Sequence, residues 1–174
     1  MVMRGSLLSA LALVLAAGCS GEGMADTESA SRTSTVPEET ESESARSEEE
    51  AVAAYLQFWD AIVLASAEMD PEHPELEEHA TGQALELAQF GVQGVLDEGH
   101  GMEGELNLDP EVSSAEPESA PTTVEIDDCQ VGGDWRTVGT EEPEMDRVLV
   151  TATVERDVFD WWVTKMRIWG DHTC

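Results

Sequence analysis

Arg147-Val148-Leu149-Val150-Thr151-Ala152-Thr153-Val154-Glu155 is the stretch that decides the fold class. Side chains of an extended chain alternate between two faces, so Val148, Val150, Ala152 and Val154 share one face and Leu149, Thr151 and Thr153 the other. A second strand is expected over residues 160–169, joined to the first by a tight turn near Arg156-Asp157. Shorter strands are expected upstream at residues 103–108, 111–115 and 122–129.

Before Gly99 the period is helical. Ser47-Glu48-Glu49-Glu50 has the S-x-x-E form of a capping box. Val52, Tyr55, Leu56, Trp59, Ile62 and Val63 then recur at three- and four-residue spacing, which predicts a helix ending near Met69. Pro74 suits the first turn of a short second helix reaching Ala80. Thr81 can cap a third, with Leu85, Ala88, Val92, Val95 and Leu96 on one stripe and Gly99 as its stop. Gly91 and Gly94 weaken that helix by about 1 kcal/mol each relative to alanine. Helices first and antiparallel strands after them predict an α+β domain with the helices on one sheet face.

The N-terminus reads as an address. Arg4 is followed by an apolar run over residues 7–17, too short for the roughly 20 residues that span a bilayer but right for a signal peptide. Leu15-Ala16-Ala17-Gly18-Cys19 resembles a bacterial lipobox, with Ala16 where leucine is commoner. Cleavage before Cys19 and lipid on its thiol would hold the chain on the outer face of a membrane, since two acyl chains anchor durably. An ordinary secreted protein with an incidental Cys19 is the alternative. Residues 19–46, rich in Ser, Thr and Glu, lack the apolar surface to offset ordering entropy and are expected to form a disordered acidic tether. The domain proper is then expected over residues 47–174. With Cys19 lipidated, Cys129 and Cys174 remain, an even pair that in an exported chain reads as a disulfide.

Among the 174 residues, Asp and Glu total 38 against 8 Lys and Arg, a formal charge of −30. That field repels phosphate backbones and anionic headgroups, which excludes nucleic acid as a partner. It suits either a high-salt habitat or an acidic envelope protein.

Three stretches together resemble actinobacterial lipoproteins of the NTF2-like (cystatin-like cone) superfamily. They are Tyr55-Leu56-Gln57-Phe58-Trp59-Asp60-Ala61; Asp70-Pro71-Glu72-His73-Pro74-Glu75-Leu76 running into Ala80-Thr81-Gly82-Gln83-Ala84-Leu85; and a C-terminal set. That set comprises residues 124–129, Val150 to Val154, Trp161, Val163 and Thr173-Cys174. The resemblance implies three helices packed on a curved antiparallel sheet that forms a cone. The superfamily holds dehydratases, isomerases and plain binding domains, so the fold does not settle the function.

Several chemical patterns are weaker than they look. Residues 99–104 spell GxGxxG, but helix precedes and strand follows, the reverse of a dinucleotide site, and no cofactor is expected. His73, His79, His100 and His172 are scattered, and a six-residue helical offset puts the first two some 240° apart, so no metal site is expected. The acidic pairs Asp97-Glu98, Asp127-Asp128 and Glu141-Glu142 lack the EF-hand pattern. Tyr55, Trp59 and Asp60 are the candidate pocket residues. A buried acid there would be the basis for a small hydrolyase or isomerase, which would need a deep pocket with two buried ionisable groups. No catalytic set is complete. Trp161, Lys165, Arg167 and Trp169 share one parity of the last strand, which reads either as an aromatic-basic stripe able to meet a second copy or an envelope protein, or as core tryptophans with two locally paired cations. The expectation is a non-enzymatic, membrane-anchored binding domain.

Overall fold

A computed structural model describes residues 38–131, 133–139, 147–171 and 174. The signal peptide, Cys19 and the tether as far as residue 37 lie outside them, as do Glu141-Glu142 and His172.

The architecture is α+β. Helix α1 is Glu38–Glu68, α2 Pro74–His79 and α3 Gly82–Glu98; strands β1 Met102–Glu103, β2 Pro110–Glu116, β3 Thr123–Gln130, β4 Arg136–Thr137, β5 Val148–Arg156 and β6 Trp161–Asp171 follow. A curved antiparallel sheet has the order β2-β3-β5-β6, and β1 pairs with β4 separately. Helix α1 touches all four strands of the main sheet, while α3 packs on β6.

Helix α1 starts nine residues before the expected domain boundary. Ser47 does not cap it: the residue is buried in mid-helix, and the chain upstream is already helical. Glutamate is a good helix former. The i,i+4 pairs Ser44–Glu48 and Arg46–Glu50, both at 3.0 Å, add local support. The buried face also lies slightly around from the large-residue stripe. It runs through Ala51, Ala54, Tyr55, Phe58, Trp59, Ala61, Ile62 and Ala65, leaving Val52, Leu56 and Val63 half-buried. The alanines let α1 approach the sheet, and Phe58 is its fully buried knob. Helix α3 follows the expected pattern more closely. Thr81 is its N-cap residue, without a side-chain cap bond, and Gly99 ends it in the left-handed conformation at φ 74°.

The sheet's inner face carries Val124, Ile126, Val150, Ala152, Val154, Val163 and Met166, all buried. The link between α2 and α3 docks on β6: the Thr81 N–H donates to the Val163 carbonyl, and the Met166 N–H to the Gln83 side chain. Two sequence expectations change. The strand foreseen at residues 103–108 stops at Glu103, because Gly104 sits at φ 96° with the Asp134 carbonyl packed where a Cβ would stand. The Asp134 carboxylate then accepts from the Glu105 N–H at 2.7 Å, and Asn107 forms an isolated bridge to Val131. These contacts fold residues 133–139 over residues 102–107 and place the unforeseen strand β4.

A bulge makes the second change. Val154 pairs with Val163 but Thr153 with Lys165, so Thr164 is an extra residue and the face parity of β6 flips there. Trp161 is therefore not part of a stripe with Lys165, Arg167 and Trp169. It is buried, with its N–H 3.5 Å from Glu50 and the Arg156 guanidinium 5.9 Å from its ring. Trp162, opposite Glu155, joins the outer face instead. There Arg167 stacks on Trp169 at 3.6 Å, and the Trp169 N–H donates to Thr151.

Cys129, at the end of β3, is bonded to Cys174 across a sequence separation of 45. Closing a loop of that size is worth roughly 4 kcal/mol in the chain-entropy model. Replacing both cysteines with serine is expected to lower unfolding stability by about that amount, read as a shift in the urea midpoint. An unchanged midpoint would show that the C-terminus contributes nothing to the sheet's stability.

Candidate functional site

A cavity of about 280 Å³ lies between the helices and the sheet. Helix α1 contributes Trp59, Ile62 and Ser66 to it, and α3 contributes a wall that includes Ala88, Phe90, Gly91 and Val92. Val148, Met166 and Ile168 form the sheet side, and Leu106 with Trp135 closes in from the segments held together around β1 and β4. Gln130 is the one amide in the walls, and no ionisable side chain lines the space. Phe90 is 77% exposed and stands at the rim. Gly91 lines the space, and a Cβ added there would meet nothing within 4 Å.

Behind Gln130 sits a buried polar cluster. Period-two alternation puts Asp128 and Gln130 on the same inner face as Val124 and Ile126, and Asp128 has no exposed surface. Its Oδ2 accepts from the Tyr55 hydroxyl at 2.8 Å and from Gln130 Nε2 at 3.0 Å, while Oδ1 accepts from the Asp109 N–H at 2.8 Å. Gln130 Nε2 also lies 3.4 Å from the Tyr55 oxygen. Burial, followed by the negative charge of Asp128 and the hydrogen bond to it, raises the Tyr55 pKa far above its ordinary value. Trp59 and Gln130 pull weakly the other way. Tyr55 is thus a permanent donor, and the cluster ties α1 to β3.

Trp59 is 5% exposed and packs edge-on against Tyr55, with ring centroids 6.4 Å apart. Its indole N–H lies near the Tyr55 oxygen but meets no acceptor in hydrogen-bond geometry, and the Trp135 N–H is likewise buried without a partner among the described residues.

Of the three pocket candidates, Trp59 lines the cavity and Tyr55 stands in the cluster behind it. Asp60 belongs to neither. It is exposed, because five residues along a helix turn it about 140° from Tyr55. Asp128 and Gln130 were the residues to find, and the alternation of residues 124–130 carries the signal: continuing Val124 and Ile126 by twos reaches both. On the outer face Lys165 and Arg167 are exposed, with Trp162 and Trp169 half-buried. His73 caps α2, its Nδ1 accepting from the Glu75 N–H at 3.4 Å. Among the described residues no group of three His, Cys, Asp or Glu side chains could hold a metal ion.

Two predictions follow from the cluster. Tyr55→Phe leaves a buried carboxylate short of one donor and is expected to cost about 2–3 kcal/mol in unfolding free energy, measured by urea titration. Tyr55 is also the chain's single tyrosine, so tyrosinate absorbance near 295 nm reports it alone. Because its folded pKa is raised, stability attributable to Tyr55 is complete below about pH 10 and declines above it, as the unfolded chain alone gives up the proton. Tyrosinate should therefore appear only together with loss of native circular dichroism. A native-state titration centred near pH 10 would show that the hydroxyl is not held by Asp128. Comparison of the chain with protein-family models, with curated proteins and with solved structures finds no match, so what the cavity does has to be read from its own walls.

Proposed function

We propose that this protein is a lipid-anchored, NTF2-like binding domain on the outer face of the membrane, and that its cavity receives a small apolar ligand. The observation that carries this reading is the cavity itself. Its volume of about 280 Å³ lies just below the roughly 300–1,000 Å³ usual for small-molecule sites, and its walls combine apolar side chains with a few polar groups. The lipobox ending in Cys19 supports the address. Three helices followed by a curved antiparallel sheet support the superfamily resemblance.

The chemistry around the cavity favours binding over turnover. A hydrolyase or isomerase of the kind considered from the sequence needs a carboxyl group that can reach its substrate. Asp128 is buried, but it does not line the cavity and both of its oxygens already accept hydrogen bonds. Tyr55 is committed as a donor to the same carboxylate. Using either for proton transfer would first break the link between α1 and β3.

Filling the cavity tests the reading directly. Gly91→Leu extends a side chain into open space. It should preserve or raise the melting temperature, since glycine is a poor helix residue, while abolishing the thermal shift produced by small apolar ligands. Ligand shifts that survive in this variant would place binding elsewhere. For the address, Cys19→Ala should move the protein from the membrane fraction to the medium or to uncleaved precursor, and loss of metabolic palmitate labelling should accompany the change. Labelling that persists would exclude Cys19 as the anchor.

A further inference from the structure

Resting on the cavity as the binding site, we infer that its ligand is a neutral apolar molecule carrying a hydroxyl group, with that hydroxyl placed against Gln130. The orientation of the Gln130 amide is the starting point. A carboxylate whose oxygens accept bonds from Tyr55 and the Asp109 N–H turns acceptors towards Gln130, so the NH₂ end must face it. The amide nitrogen is thereby used on Asp128 and the Tyr55 oxygen. What remains for the cavity is the carbonyl oxygen, which meets no donor among the described residues.

That leaves an acceptor in a wall whose other polar groups are the Ser66 hydroxyl and two indole N–H groups, and an acceptor that a ligand takes out of water is satisfied only by a donor. An ammonium group would find no carboxylate, because no ionisable residue lines the space and Asp128 lies behind Gln130. A carboxylate or phosphate would set its charge against the Gln130 carbonyl, close to the Asp128 anion and with no cation in the walls. Ketones and ethers only accept: an indole N–H or the Ser66 hydroxyl could serve them, but the Gln130 carbonyl would be left without a donor. A hydroxyl donates and accepts through one atom. The same walls hold two buried indole N–H groups without partners, on Trp59 and Trp135, to meet its lone pairs. The rings of these tryptophans, with Leu106, Met166 and Ile168, would cover a flat apolar body.

Isothermal titration of the oxidised full chain with four bicyclic probes of one shape tests this: 2-naphthol, 2-methoxynaphthalene, naphthalene and 2-naphthoate. The expected order is 2-naphthol about tenfold tighter than naphthalene and 2-methoxynaphthalene, as one buried hydrogen bond supplies, with 2-naphthoate weakest. Gln130→Leu, checked for native circular dichroism, should bring 2-naphthol down to the affinity of 2-methoxynaphthalene; a preference for 2-naphthol that survives in the folded variant overturns the placement of its hydroxyl against Gln130. Equal affinities for naphthol and its methyl ether, or tighter binding of the ether, overturn the hydroxyl inference and leave the cavity reading intact. Failure of all four probes to bind overturns the cavity reading and this inference with it.

Discussion

The hydrogen bond from the Tyr55 hydroxyl to the Asp128 carboxylate is the constraint on which the rest of the molecule depends. It joins the first helix to the central part of the sheet across 73 residues of chain. A buried carboxylate is expensive to desolvate, and such a charge persists only where donors surround it. Asp128 has three: a phenol, an amide nitrogen and a backbone N–H. These fix three separate things. Tyr55 sets the position of α1 over the sheet, Asp109 sets the entry into β2, and Gln130 is turned so that its carbonyl end is left over. The polar cluster adds a directional contact to the packing of Phe58, Trp59 and Ile62.

The cavity adjoins that cluster through Gln130. Around Tyr55 and Phe58 the space between α1 and the sheet is filled by large rings with no exposure. One turn further on, Trp59 and Ile62 line the cavity, with Ala88 and Gly91 among the α3 residues of its wall. Interiors otherwise pack as densely as organic crystals, and unfilled apolar volume lowers stability. Here the cost falls on a helix already weakened by Gly91 and Gly94. The Cys129–Cys174 bond stabilises the same end of the sheet, since Cys129 adjoins Gln130 in the cavity wall.

How much of this was legible depended on whether the signal was local. Alternation in Val148 to Val154 and helical spacing before Gly99 are properties of neighbouring residues, and they placed α2, α3, β2, β3, β5 and β6 to within a residue or two. The start of α1 was misplaced because Ser47 imitates a cap, while nothing local reports that the helix continues through a polar stretch. The parity that groups Trp161 with Lys165 does not hold, because the extra residue at Thr164 is set by pairing with β5, and a bulge leaves no mark in the strand's own pattern. Asp60 was misjudged as a pocket residue for its adjacency to Trp59, although helix geometry alone turns it away. Asp128 was readable by period two, but its identity as an acid argued for the surface. Only the partners brought in from Tyr55 and Asp109 make the inner face habitable for it.

The same placement decides how a protein of charge −30 can hold an uncharged cavity. Acidic side chains crowd the outside, where water and counterions screen them over roughly 10 Å. Inside, the charge nearest the cavity is Asp128, and its oxygens point at donors rather than into the open space. Gln130 stands between the two as an adaptor: its nitrogen answers the anion, and its oxygen passes a weakened negative character on to the cavity wall. Two indoles with unpaired N–H groups face the opposite need. A negatively charged molecule would be repelled by the net charge of the chain and would find no counter-charge within the cavity. The charge that keeps the surface hydrated and the amide that shields the cavity from Asp128 thus select against the same class of ligand, from opposite sides of the wall.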